Sequence, residues 1–157
     1  MQKYITIIFL FIALIVQMNG QEDLKYCNAR FGFCFSYPAF LISAPPPVSG
    51  DGIRIYDKKG FVLAASGINN TLEDTYESEL QIQFKNIGTL TFGRRGSNWF
   101  AIAGFKDNKI IYIKEFIDTG SINRIYIEYP KDKKDKYDKI ADAISRSFKP
   151  GDLNKNH

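Results

Sequence analysis

Apolar and polar residues alternate along this chain with two periods, and the switches between them mark out its elements. "FGFCFSYP" (31–38) is apolar at nearly every position and stops at Pro38, which cannot donate to a ladder; it reads as a strand buried on both faces. "APPPVSGDG" (44–52) carries three prolines and two glycines and is a stiff, irregular connector. "GIRIYDKKGFVLAASG" (52–67) reads as a hairpin. Ile53 and Ile55 alternate with Arg54 and Tyr56, and "DKKG" turns the chain with Gly60 at positive φ. The period then lengthens. In "NNTLEDTYESELQIQF" (69–84), Leu72, Tyr76, Leu80 and Phe84 recur every four residues and predict a helix with that face inward. Asn70 or Thr71 would cap it, and Glu73 and Asp74 would sit in a first turn whose dipole favours acids.

Four strands follow, at about 87–94, 98–106, 109–117 and 122–129. The short links "RRGS", "KDNK" and "DTGS" imply an antiparallel meander. A last helix, about 133–148, sets Tyr137, Ile140, Ala141, Ile144 and Phe148 on one face, and "PG" at 150–151 ends it. "WFAIAGF" (99–105), "FVLAA" (61–65) and "IIYI" (110–113) are apolar on both alternating sets, so these strands should be covered on both sides. The expected fold class is α+β: an antiparallel sheet with a helix on each face, an α/β/α sandwich.

The first twenty residues fall outside that fold. Lys3, the thirteen-residue apolar run Tyr4–Val16 and the small Gly20 have the layout of a secretory signal cleaved after Gly20. An uncleaved anchor is the alternative, but a spanning helix needs about 20 apolar residues. Residues 21–150 then form one domain and 151–157 a polar tail. The predicted localisation is secreted or periplasmic, without stable membrane insertion after cleavage. In that compartment the two cysteines, Cys27 and Cys34, read as one structural disulfide; a redox pair would favour C-x-x-C spacing. "YCNARFGFC" would fold as two short strands around a turn through Asn28 to Gly32, placing the sulfurs side by side.

Charge and chemistry narrow the function further. The net charge of +4 falls to +3 without Lys3, and it is not gathered into the basic patch of a nucleic-acid binder. The single histidine is the terminal His157, which removes Ser-His and Cys-His pairs and histidine metal sites. No phosphate loop, dinucleotide fingerprint or nucleophile elbow is present. Carboxylates remain. Glu73 and Glu77, with Asp74 and Glu79 near them, could divide acid and base roles, but a solvated helix face with favourable charge at its start is the better account, since no second motif points at them. Asp51 and Asp57 read as turn formers before cation ligands, and Arg94 and Arg95 as a charged hairpin end before an anion site. "KDKKDKYDK" (131–139) mixes signs as exposed helix starts do. "NNT" at 69–71 is a glycosylation sequon on Asn69. Aromatics are 15% of the chain, with Trp99 the sole tryptophan; core packing accounts for most, and Tyr56 or Tyr129 could sit at sheet edges.

"RFGFCFSYPAF" followed by a Pro/Gly-rich gap, a hairpin, a helix, a meander and a final helix ending "ISRSF" resembles the PsbP-like family, over about residues 24–149. That family includes the extrinsic photosystem II protein, a nuclear Ran-binding protein, the periplasmic DcrB proteins and secreted bacterial domains. The resemblance implies the α/β/α fold and a protein-binding or adaptor role. It transfers no site residue, since the photosystem protein's metal-binding histidines have no counterpart. The expectation is therefore a non-catalytic binding domain with a protein partner, no cofactor, no metal site and no catalytic residues. Rival readings are an inhibitor or immunity-type protein, a carboxylate-dependent hydrolase, and a small-ligand carrier binding between the sheet and the loop at 44–50.

Overall fold

The computed structural model describes residues 22–151. The expected signal, Gln21 and His157 lie outside them. β1 (Asp23–Cys27) and β2 (Cys34–Pro38) pair antiparallel as a small sheet of their own. The main sheet comprises β3 (Ile42–Ser43), β4 (Gly52–Tyr56), β5 (Val62–Asn69), β6 (Thr89–Arg95), β7 (Trp99–Lys106), β8 (Lys109–Ile117) and β9 (Ser121–Pro130), in the order β3-β4-β5-β9-β8-β7-β6. All its neighbours are antiparallel. α1 (Tyr76–Ile87) connects β5 to β6, and α2 (Lys134–Ser147) follows β9 after a 3-10 turn, Lys131–Lys133.

The turns follow from their residues. Gly60 takes φ 101°, and Asp57 closes the β4–β5 hairpin by accepting from the backbone N–H of Lys59 and Phe61 at 2.8 and 3.0 Å. Between β7 and β8, Asp107 and Asn108 both take positive φ, as a two-residue hairpin turn of the right twist requires. The meander and α2 match the periodicity, and Tyr137, Ala141, Ile144 and Phe148 are buried.

Alternate residues of β8 enter two separate cores. Ile110 joins a cluster with Phe31, Phe33, Phe35, Leu63 and the apolar face of α2, while Ile111, Ile113 and Ile117 join Phe100, Ile102 and Ile87 of α1. α1 packs on β7 and β8; α2 packs on β2, β9 and β8.

Three expectations need correction. "FGFCFSYP" is not a strand with two buried faces. Phe31, Phe33, Phe35 and Tyr37 are buried, but Gly32, Cys34, Ser36 and Pro38 on the alternate set are only half-buried, and the segment stands apart from the main sheet. It is tied instead to the end of α2: Ser36 N–H donates to Ser147 Oγ at 2.9 Å, and Cys34 bridges Lys149. In "FVLAA", Phe61, Leu63 and Ala65 are buried whereas Val62 and Ala64 are half-exposed, and in "WFAIAGF" Trp99, Ala103 and Phe105 are likewise only half-buried.

The third correction is α1, which starts four or five residues later than its expected caps indicated and is rotated. Asn70 does not cap it. Asn70 is buried and clamps the preceding loop, accepting from Asp74 N–H at 2.8 Å and donating to the carbonyls of Asp74 and Asp118. Glu73 takes φ 54°, which breaks the helix before it begins. Thr75 is the actual cap, in a reciprocal capping box with Ser78. Leu72 is left 82% exposed, and the buried positions of the helix are Glu79, Gln83 and Ile87. Gly88, at φ 71°, ends it.

Candidate binding site

Where α2 leaves the sheet uncovered toward β6, a cleft of about 640 Å³ opens. Its floor is β7, with Ala101 and Ala103 small enough to leave room above the strand, and Trp99 and Phe105 at the two ends. One wall is the edge strand β6, which presents Phe92 and Arg94; the other is α2, which presents Asp142, Ser145 and Arg146. β6 turns both Phe92 and Arg94 toward the cleft because of a bulge between Leu90 and Phe92, which resets the register so that Phe92 faces Ala103 and Arg94 faces Ala101.

β8 supplies the polar centre. Tyr112 and Ser145 share a hydroxyl–hydroxyl hydrogen bond of 2.5 Å. Lys114 Nζ donates to the Ser145 carbonyl at 2.8 Å and lies over the rings of Trp99 and Phe116, at 5.5 and 5.2 Å from their centroids. Burial holds the Lys114 ammonium below the usual lysine range. Burial also raises the Tyr112 phenol; Asp142 adds to the rise, while the Ser145 hydrogen bond and Arg94 oppose it. The cleft acids are engaged, Asp142 by Arg146 and Asp138 by Lys134 and the Tyr129 hydroxyl. Arg94 and Lys114 have no carboxylate within 4.0 Å among the described residues.

Under α1 lies a second polar group. Glu115 is fully buried, and its Oε1 accepts from Arg124 Nη2 at 2.6 Å and Nε at 3.0 Å. Arg124 Nη2 also reaches Glu79 at 3.0 Å. Burial pushes the Glu115 carboxyl up to about 7, with Glu79 adding and Arg124 opposing. Its Oε2 has no hydrogen-bond partner among the described residues.

Most residues singled out from the sequence lie away from the cleft. Cys27 and Cys34 face each other across the β1–β2 pair and are bonded. The turn between them is built by Asn28, whose Oδ1 accepts from the N–H groups of Arg30 and Phe31. Glu73 and Glu77 are exposed and do not come together with Glu79, which points under α1. Asp51 pairs with Ser49 and Asp57 with the β4–β5 turn and Tyr137; among the described residues no three potential ligands gather for a metal. Arg94 and Arg95 part company, Arg94 lying over Phe92 and Arg95 over Tyr76. Tyr129 is buried and not at an edge; Tyr56 is half-buried. The loop at 44–50 is pinned to the β1–β2 turn by Asn28 and Arg30, which donate to the carbonyls of Gly50 and Ser49. Lys114, Tyr112, Ser145, Glu115 and Arg124 were not anticipated. Their signal was the "KE" inside "IIYIKEFI": two charges in a strand with apolar residues on both faces need buried partners.

No family model matches the sequence, and no curated protein does either. Solved structures match by shape. An antiparallel sheet with two helices and a separate amino-terminal hairpin places the chain in the mixed α+β class. Within that class it has the PsbP-like fold. The solution structure of cyanobacterial PsbP (CyanoP) from Synechocystis superposes with a TM-score of 0.64 at 12% identity, over 85% of this chain and 95% of that one. A crystal structure from Bacteroides thetaiotaomicron superposes with a TM-score of 0.58 at 11% identity, over 87% of this chain and 51% of that one. At these identities the likeness is one of fold.

Proposed function

We propose that this protein is an exported, non-catalytic binding domain that holds a small organic ligand in the cleft between α2 and strands β6 to β8. The observation that carries this reading is the open sheet floor itself: two alanines bounded by rings, with cations on both walls, in a volume within the roughly 300–1,000 Å³ of ligand pockets. This replaces the loop at 44–50 as the expected ligand site. The layering that creates the cleft is read as α/β/α, supported by the alternation of β8 residues between the α1 and α2 cores. Export is supported by the Cys27–Cys34 bond together with the signal layout of residues 1–20. No helix among the described residues is long and apolar enough to cross a membrane.

Binding is favoured over catalysis by the geometry at Ser145. Its hydroxyl is engaged with Tyr112, and Lys114 donates to its backbone carbonyl, so the amine is not placed to take the hydroxyl proton. A thermal-shift screen of the mature chain against small organic ligands tests the reading, since a ligand that binds the folded state raises the melting temperature by mass action. A screen in which no compound shifts the wild type, or in which shifts survive plugging the floor with Ala103→Trp, overturns it.

One observation favours a protein partner as a second reading. β6 is an edge strand exposed along all seven residues, with Leu90 45% and Phe92 40% exposed. An inhibitor or immunity-type role is the narrower form of this reading. Recovery of a stoichiometric partner from the native envelope or secretome, lost when Phe92→Glu is introduced, supports it; recovery of none counts against it.

A further inference from the structure

Building on the cleft as a ligand site, we propose that its ligand is an anionic amphiphile, a small organic molecule whose carboxylate is held by Lys114 and Arg94 while its apolar body lies along Ala101, Ala103 and the rings of Trp99 and Phe92. The argument is one of uncompensated charge. Five cationic residues line the cleft (Arg94, Lys114, Lys134, Lys139 and Arg146) against two acids, Asp138 and Asp142. The acids already serve Lys134 and Arg146, so the charge left over is positive.

Lys114 is the most telling of these residues. An ammonium carries three donors, and the Ser145 carbonyl takes one. Its other close neighbours are the faces of two rings, which attract a cation but accept no full hydrogen bond. An ammonium so placed has lost part of its water without gaining a counter-charge, and burial lowers its pKa accordingly. A carboxylate entering the cleft would supply both the charge and the acceptors, and charge-assisted bonds of this kind are roughly twice as strong as neutral ones. Arg94 stands across the floor on the β6 wall, without an acid within 4.0 Å among the described residues and stacked on Phe92. A neutral head group would leave both cations as they are; a cationic one would be repelled.

The probe is 1-anilinonaphthalene-8-sulfonate, an anionic aromatic dye, bound to the full chain with its disulfide intact at neutral pH. It is displaced by decanoate, decanol or decylammonium below their micellar concentrations. Decanoate is expected to displace the dye at about one-tenth the concentration decanol needs, with decylammonium weakest. Lys114→Met should bring decanoate to the level of decanol, whereas Lys25→Met on β1 should change nothing. Should Lys114→Met fold poorly, Arg94→Gln at the exposed edge is expected to weaken decanoate selectively. Equal displacement by all three heads, or decanoate binding untouched by both variants, overturns the anionic ligand while leaving the cleft as a binding site. Dye that stays bound when Ala103→Trp fills the floor overturns both.

Discussion

Under α2 the core is made of rings. Phe33 meets Phe148 at 6.0 Å, and Phe61 packs with Tyr129 and Tyr137 at 6.2 and 5.2 Å. Under α1 the core is mostly isoleucine around the single buried ring of Phe100, and it encloses a glutamate–arginine–glutamate group, Glu79–Arg124–Glu115. The first side is held by volume and shape, because a smaller side chain in place of one of these rings would leave a cavity that close-packed neighbours cannot fill. The second depends on a counter-charge that keeps two carboxylates out of reach of water tolerable. One sheet thus carries a core sensitive to size and another sensitive to charge and pH.

Truncation should separate the two most sharply. Phe33→Ala, which removes a fully buried ring from the α2 side, is expected to cost about 3–5 kcal/mol in urea unfolding; Ile102→Val on the α1 side should cost about 0.5–1.5 kcal/mol. Arg124→Met is the corresponding blow to the α1 side. It strands Glu115 and Glu79 without their shared cation and is expected to cost about 3–5 kcal/mol at neutral pH. A cost below about 1 kcal/mol would mean that the charge group does not hold α1 in place.

The pH dependence has a definite sign. Glu115 is raised from 4.5 to about 7, so the folded state holds its proton more tightly than the unfolded chain. The stability this contributes is complete below about pH 4.5 and is lost as pH rises through about 7. Asp57 and Glu128 behave oppositely. Burial would raise both, but for Asp57 the Tyr137 and backbone hydrogen bonds, and for Glu128 those from Lys109 and Tyr126, outweigh it. Their contributions are lost in acid. Glu115→Gln should therefore flatten the fall in the urea midpoint between pH 5 and pH 8, stabilising the protein at the upper end and changing little at the lower. An unchanged slope would show that Glu115 does not titrate in that range.

This contrast also explains what could be read from the residues alone. The meander and α2 were legible because Ile110–Ile113, Ile125, Ile127 and the Tyr137–Ile144 stripe are apolar wherever they are buried. α1 was misplaced because its buried face carries Glu79 and Gln83, which hydrophobic periodicity scores as solvent-facing. Residues 31–38 showed that their aromatic set is buried, but alternation does not say which sheet a strand joins. The cleft could not be seen at all, because its floor, walls and charges come from three strands and a helix, and only the assembled sheet places Ala101 opposite Arg94 and near Ser145.

A smaller effect is expected at the β1–β2 hairpin, which belongs wholly to the α2 side. Cys27 and Cys34 are seven residues apart, and opening so short a loop by replacing both with serine should cost about 2–3 kcal/mol. The loss should fall unevenly. Amide exchange should accelerate in the hairpin and at Ser147–Lys149, which are hydrogen-bonded to β2, before it does in α1. Uniform acceleration would mean that the two cores unfold as one unit.

The finest probe of the contrast is the start of α1. Thr75 and Ser78 satisfy one backbone N–H each, the reciprocal arrangement that fixes where the helix begins. Thr75→Ala should cost about 1 kcal/mol. Because α1 carries Glu79 one turn further on, fraying of that first turn should also loosen Glu79 from Arg124. Glu79 is the acid that adds to the Glu115 shift, so the Glu115 titration should move down in Thr75→Ala. A titration curve followed by carboxyl NMR that keeps its midpoint while stability falls would show that the cap acts on the helix alone. A lowered midpoint would tie the geometry of the charge group to the first turn of α1, a dependence without counterpart on the aromatic side.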